Sequence, residues 1–335
     1  MFTYILRRLL TAVPTVLLIS LAIFMLLELA PGDPMADVPL TIPPEVKAKM
    51  REALGLDQPS YIRYLLWLKQ FFWVEPLVLF DHWFGTAYSA DLQRVVSWQT
   101  RSPVSELILQ RIPQTLWVVG MGYVVGVSLA IPIGVISAYK QYSWFDQLGT
   151  FVSMVGFSVP TFFTGVLLIV IFSVTLNWLP SIYDTTLVVN SWPNFVTQVK
   201  QMIMPITVLA LFNAAQISRY MRASMLDNLG QDYVRTARAK GMAEKVVVLV
   251  HVLRNSLIPV VTVIALGVPS IFAGAIITEQ VFKVNGLGQL LINAIQSNDL
   301  PLVQTLTFIF AVLIVTFNLI ADVLYGILDP RIRYE

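Results

Sequence analysis

Residues 112–139 read IPQTLWVVGMGYVVGVSLAIPIGVISAY, 28 positions without one charged side chain. A helix rises 1.5 Å per residue, so about 20 apolar residues cross the roughly 30 Å hydrocarbon core of a bilayer. This stretch passes that test with residues to spare. Comparable uncharged runs occupy 9–27, 147–183, 201–218, 255–278 and 300–321, of 19, 37, 18, 24 and 22 residues. In hydrocarbon a segment must pair its own backbone polar groups, and the helix is the form that does so within one run. The expected fold class is therefore an all-α polytopic membrane protein.

Composition points the same way. The 335 residues are 56% hydrophobic and 13% charged, against about 25% charged in an ordinary soluble domain. A water-exposed globule of this size would lack the polar residues to cover itself, and the apolar content excludes disorder. The net charge is +2, from 22 basic and 20 acidic residues, which gives no basic field for nucleic acid. With no cysteine there are no disulfides, iron–sulfur clusters or thiolate zinc sites. Two histidines, His82 and His251, are too few for a His-rich metal site. Surface or helix-end positions are expected for them, and no metal is expected.

Orientation follows from the basic residues. Arg7 and Arg8 precede the first run and hold the N-terminus in the cytoplasm by the positive-inside rule. That run exceeds a typical secretory h-region, and Glu28-Leu29-Ala30-Pro31-Gly32-Asp33-Pro34 behind it offers no small-x-small cleavage site. It reads as an uncleaved first span. The 37-residue run poses the counting problem, since two spans there would need a cramped turn near Pro160 or Gly165. Counted as one, it gives six transmembrane helices with both termini cytoplasmic. The segment 219–254, with seven basic residues (Arg219, Arg222, Arg235, Arg238, Lys240, Lys245, Arg254), then lies inside with Arg331 and Arg333. The short external segments 175–200 and 279–301 hold one lysine each, Lys200 and Lys283. A seventh span would invert this distribution. The long loop at 30–111, with eight basic and nine acidic residues, is no exception, because loops beyond about 60 residues translocate largely regardless of charge. The chain thus divides into residues 1–30 (N-terminal segment and first span), an extracytoplasmic insertion at 31–111, and a core at 112–335 that carries a cytoplasmic segment at 219–258.

Within the insertion, Pro43-Pro44-Glu45 opens a short helix with Val46, Met50, Ala53 and Leu54 on one stripe and Gly55 as its stop. Residues 61–74 are dense in Leu, Trp, Phe and Tyr and too short to span, which predicts an interfacial helix lying on the membrane. Residues 75–100 read as loop. Ser102-Pro103 is an N-cap and N1 pair for a helix that ends before Pro113, with Val104, Leu107, Ile108 and Arg111 on one stripe. The insertion either docks an external partner or packs over the mouths of the spans.

No phosphate-binding loop, H-E-x-x-H or G-x-S-x-G motif is present, and no pair of acids occupies facing positions in the spans. The acids nearest the spans are Glu28, Glu279 and Asp322. The first two fall at outer span ends, where headgroups hydrate them. Asp322 lies one turn from Asn318, and a hydrogen bond to a neighbouring helix suits it better than a proton relay. What the spans do hold is small residues and prolines: Gly120, Gly122, Gly126, Pro132 and Gly134; then Gly156, Pro160 and Gly165; then Gly267, Pro269 and Gly274. Glycine admits close helix contact and proline bends a helix. Gly122, Gly126, Gly156, Pro160, Gly267 and Pro269 are the candidates for packing and bending along a path through the bundle.

The longest basic segment contains NLGQDYVRTARAKGMAEKVVVLVHVLRNSLIP at 228–259. Asp232 can cap a helix over Tyr233 to Lys240, Gly241 suits the C′ position, and a second helix starts across Ala243 to Arg254. Helix, glycine turn and helix make a rigid knob under the membrane. On composition alone the alternative is a basic segment resting on anionic headgroups.

The run DYVRTARAKG (232–241), followed by LRNSLIP (253–259), resembles the inner-membrane permease subunits of ATP-binding-cassette (ABC) importers, specifically the dipeptide/oligopeptide/nickel permease family. Further matching motifs are LAPGDP (29–34), GLGQL (286–290) and the ending DVLYGILDPRIRY (322–334). The resemblance covers essentially the whole chain. It implies a type I ABC importer permease fold in the bacterial inner membrane, with Thr236, Ala237 and Gly241 on the family's E-A-A…G coupling motif. Arg235 stands where the wider superfamily has glutamate, and Pro259 lies further from Gly241 than the superfamily spacing; both departures are usual in the peptide branch. Tyr233, Arg235, Thr236, Ala237, Lys240, Gly241, Met242 and Glu244 are then the candidate ATPase-coupling residues. The implied partners are a second permease, expected to be a paralogue, two ATPase subunits that hold ATP and Mg, an extracytoplasmic substrate-binding protein and membrane lipid. No cofactor is expected on this chain, and no enzymatic activity of its own. Di- and oligopeptides are the expected cargo, with nickel chelates or oligosaccharides as the alternatives within the same architecture. A proton-coupled secondary carrier is the alternative from another class, although no inverted repeat supports it.

Overall fold

The computed structural model describes residues 2–29, 45, 57–90, 92–269, 271 and 275–328. The expected helix after Pro43 lies outside them apart from Glu45, as do residues 30–34, Gly274 and the tail from 329. Among the described residues every regular element is helical, and the β-structure is one isolated bridge.

Helix α1 is Phe2–Glu28. Helix α2 spans 60–84 and holds a π-turn at Gln70–Val74. It is followed by α3, Val104–Tyr139, with a π-turn at Leu116–Gly120. Next come α4, Trp144–Ser158, and α5, Thr161–Thr175, bent by 102° from one another. Helix α6 is Trp192–Leu229, α7 is Asp232–Ala239, and α8 is Glu244–Gly267. The chain closes with α9, Ile276–Phe282, α10, Leu287–Gln296, and α11, Leu300–Leu328. Five of these helices are long and apolar enough to cross a membrane, and the bent α4–α5 pair makes a sixth candidate.

Two expectations need correction. Residues 75–84, expected as loop, continue α2. The π-turn widens the coil just ahead of Pro76 and gives its ring room, so the helix runs on until Gly85 adopts a left-handed φ of 67°. The helix expected to end before Pro113 starts at Val104 and passes through that proline into α3. Its buried face, with Ile108, Thr115 and Val118, continues on both sides of the ring. Packing therefore outweighs the one lost hydrogen bond.

The fold comprises two compact units. The first contains Met1–Thr11, Ile112–Gln289 and Leu313–Glu335. Its main seam joins α3 to α6. A Cβ at Gly122 would sit 2.7 Å from Leu209 Cβ, one at Gly126 would sit 2.9 Å from Asn213 Cβ, and one at Gly134 would sit 2.6 Å from Met221 Cβ. The numbers rise together, by four and then eight on both helices, so α3 and α6 run parallel. Two parallel spans need one crossing between them, and α4–α5 supplies it. That resolves the 37-residue run as one broken span, turning at Pro160. In the same unit Asp146 is 3% exposed and takes both arms of Arg222, at 2.6 and 2.7 Å. Asp322 pairs with Arg8 at 3.0 Å, the structural role expected of it, and so ties α11 to α1.

The second unit contains Ala12–Arg111 and Leu290–Val312. Here α2 lies against α1 and the start of α11: Ser20 Oγ meets Tyr64 Oη at 2.8 Å, and Trp67 packs edge-on to Phe308 at 4.9 Å. The loop before α3 is pinned where Asp299 accepts Trp98 N–H at 3.0 Å and the Ser97 hydroxyl. Asp81 accepts hydrogen bonds from Ser89 and Thr86, which hold its carboxyl down at about 2.

Candidate functional site

The knob expected from the sequence at 232–254 is built by two chain reversals. Helix α6 ends at Leu229, and Gln231 at φ −76°, ψ 152° re-aims the backbone before α7. Gln231, rather than Asp232, is the N-cap residue. Asp232 is the first helical residue, its carboxylate 3.3 Å from Arg235, and the Gln231 side chain makes no capping bond at this end. Helix α7 is short, so its far end matters more. There Met242 N–H donates to Ala237 O and Gly241 N–H to Arg238 O, the two crossed bonds of a Schellman motif. The motif needs a left-handed residue at C′, and Gly241 supplies φ 75°.

One side of α7 is anchored and the other is free. Val234 and Ala237, three residues apart, are buried among Met221, Met225, Val247, Val248 and Val252, with Met242 packed against them. Tyr233, Arg235, Thr236, Lys240 and Gly241 are exposed, while Met242 and Glu244 are partly buried. Ala237 thus faces the bundle, and its part in the knob is packing. Across the turn Arg238 holds Glu244 through Nη2 at 2.7 Å and Nε at 3.2 Å, and this bond pushes its guanidinium pKa up. Tyr233 Oη donates to Asn228 at 2.8 Å.

At the base of the knob, α6 and α8 exchange bonds. Ser224 Oγ donates to Ser256 O at 2.8 Å, and Ser256 Oγ donates to Ser224 O at 3.2 Å. Both serines are buried. The pair carries no signal in the sequence, since single serines in apolar runs are common. Nor does the Asp146–Arg222 clamp, whose partners lie 76 positions apart. The knob thus presents a free polar face over a packed base that α6 and α8 share.

The six residues expected to serve packing and bending lie apart from the knob. Gly122 and Gly126 sit in the α3–α6 seam, and Gly156 faces Ala215, whose Cβ would be 3.3 Å from an added Cβ. Pro160 stands at the α4–α5 bend. Gly267 is covered by Tyr123, whose hydroxyl donates to Ile264 O, and Pro269 lies just past the end of α8. Arg219, just past the end of its uncharged run, lies 4.6 Å over the Phe157 ring.

Glu279 departs from expectation. It is 1% exposed instead of hydrated by headgroups. Thr115 Oγ1 donates to it at 2.9 Å and Gln289 N–H at 2.9 Å, so it caps the start of α10. The loop closes over it because Gly286 and Gly288 have no Cβ; one at Gly286 would collide with Glu279 and Thr115. The GLGQL motif is the cage of this carboxylate. Among the described residues no group of three His, Asp or Glu is placed to hold a metal ion.

The chain matches the family described as "Binding-protein-dependent transport system inner membrane component" over residues 130–334. The N-terminal component of the same systems matches over residues 1–119. It is 40% identical over 338 residues to the oligopeptide transport system permease protein AppB of Bacillus subtilis, covering 100% of both chains. It is 36% identical over 339 residues to the glutathione transport system permease protein GsiC of Escherichia coli K12, again over 100% of both. A putative peptide transport system permease protein of Brucella abortus is 35% identical over 341 residues, with the same full coverage.

Proposed function

The chain belongs to the family of binding-protein-dependent transport system inner membrane components, and from that membership we propose that it admits short peptides through the membrane under the drive of a separate ATPase. It is a multi-pass inner-membrane permease and a transport subunit. The cargo reading rests on the relatives, whose names specify oligopeptide, peptide and glutathione transport. All three are peptides or peptide-like solutes with both charges.

The observation that carries the coupling mechanism is the Schellman-locked knob on tied helices. A partner ATPase, holding ATP and Mg, grips the exposed face of Tyr233, Arg235, Thr236 and Lys240. Closure of the ATPase pair displaces α7 as a rigid body, since Val234, Ala237 and Met242 fix it to the bundle. The Ser224–Ser256 exchange makes α6 and α8 move with it. Helix α6 shares its glycine seam with α3, so the tilt spreads to the spans that line the path. A second permease completes that path, and a soluble binding protein delivers the peptide from outside.

Replacing Gly241 with tryptophan tests this. The position has φ 75° and no atom within 4 Å of where a Cβ would stand, so the change strains the turn and blocks the knob's surface without disturbing the core. Assembly is expected to survive while peptide uptake and peptide-stimulated ATP hydrolysis both fall at least tenfold. Normal uptake and hydrolysis in the assembled variant would remove the coupling assignment.

A further inference from the structure

The second unit contains a cavity of about 760 Å³, within the usual range for small-molecule sites. The translocation mechanism makes no use of it. We propose that it is a receiving site for a short zwitterionic peptide, held on this chain before the path opens. The proposal rests on the peptide reading above and assigns that cargo a place.

Three features of the wall select this ligand. The first is charge of both signs with spare capacity. Arg63 and Glu28 pair with one another, yet both contacts on the carboxylate fall on Oε1, one from Arg63 and one from Ser60 at 3.1 Å. Oε2 is left without a partner among the described residues, and so is Arg63 Nε. A peptide's ammonium and carboxylate are the complements of those two groups.

The second feature is a pair of orphaned donors. Trp67 and Gln304 line the cavity from α2 and α11, and their buried Nε1 and Nε2 have no partner among the described residues. A buried unpaired donor costs free energy, and peptide carbonyls would satisfy both.

The third is an open backbone edge. Val96 bridges Pro103, with Val104 N–H donating to Val95 O and Ser97 N–H to Ser102 O, each at 2.9 Å. In a bridge of this kind the N–H and C=O of Val96 face the other edge, and by alternation those of Arg94 do too. Both residues line the cavity, and neither backbone has a partner among the described residues. Extended peptides bind such edges by adding a strand. Residues 93–96 present about 10 Å of edge at roughly 3.3 Å per residue, the length of a di- to tetrapeptide. A phospholipid headgroup would use the donors, and an ethanolamine one the carboxylate too, but it has no strand to add to the backbone edge.

The test uses the complete importer, purified without its soluble binding protein, and equilibrium dialysis against radiolabelled tri-alanine. Saturable binding is expected, at least tenfold tighter than that of N-acetyl-tri-alanine amide. Arg63→Gln should cut that preference at least threefold, and Gln304→Met, which removes only the amide, should weaken binding at least threefold while leaving the melting temperature unchanged. Equal binding of free and blocked peptide, wild-type binding by Gln304→Met, or a co-purified phospholipid that tri-alanine fails to displace would each overturn the site. Uptake by vesicles supplied with the binding protein is measured alongside. Vesicles that import tri-alanine while the complex binds none would sink the receiving site alone. Vesicles that import no peptide would sink the cargo reading beneath it.

Discussion

Gly241 is the residue on which the shape of the knob depends. Any L side chain at φ 75° pays a conformational penalty of about 1 kcal/mol, so even Gly241→Ala should lower the melting temperature of the assembled importer slightly, with a larger loss in coupling. Asp146 and Arg222 make the opposite kind of site, fixed by burial. Asp146→Asn takes the charge from a buried carboxylate and leaves the half-buried guanidinium fork of Arg222 half unpaired, and a destabilisation of about 2 kcal/mol is expected. Chemical denaturation of Asp146→Asn beside Arg222→Met would measure it; a change within experimental error in both would show that the clamp is idle. Gly241 is legible in the sequence because glycine at a helix end has a defined geometric use. The Asp146–Arg222 pair is not, because sequence carries no record of which distant charges meet. Glu279 escapes a sequence reading for a related reason. Its position at a span end is plain from the charge pattern, and only the fold reveals that Gly286 and Gly288 let the chain close over it.

Between elements, the decisive contacts are short side chains that let helices touch. The α3–α6 seam requires glycine at 122 and 126, since a Cβ at either would lie within 3 Å of a neighbour's Cβ. Gly126→Leu should therefore prevent accumulation of the folded protein in the membrane, whereas Gly120→Leu, with nothing within 4 Å of the added atom, should be tolerated. Equal expression of the two would show that the seam is looser than described. The Ser224–Ser256 exchange predicts a different phenotype. Ser224→Ala with Ser256→Ala removes two hydroxyls but keeps the packing, so assembly should persist while ATP hydrolysis loses its dependence on peptide. Coupled hydrolysis at the wild-type level would remove the serine tie from the mechanism. Span positions are readable from charge alone, because hydrocarbon excludes charge wherever the helix is buried in it. Helix ends inside and beside the spans are not. Pro76 and Pro113 look like stops, yet α2 and α3 pass through them, the one by a π-turn and the other because its buried face resumes beyond the ring.

For the whole molecule the topology and the direction of energy flow are one question. Parallel α3 and α6 fix one crossing between them, and the Arg8–Asp322 pair brings the first and last helices together near the two termini. Both agree with six crossings, and the proposed coupling further needs the knob on the inner face, where a nucleotide-driven partner can reach it. The chain has no cysteine, so a single introduced thiol reports its own position without background. Thr236→Cys, at the exposed face of α7, is the most informative place for it. A membrane-impermeant maleimide should label this thiol in inverted vesicles stripped of the ATPase and not in intact spheroplasts, and restoring the ATPase subunits should protect it. Labelling from the outer face, or an inner-face thiol that the ATPase leaves fully reactive, would contradict a coupling knob on the cytoplasmic side.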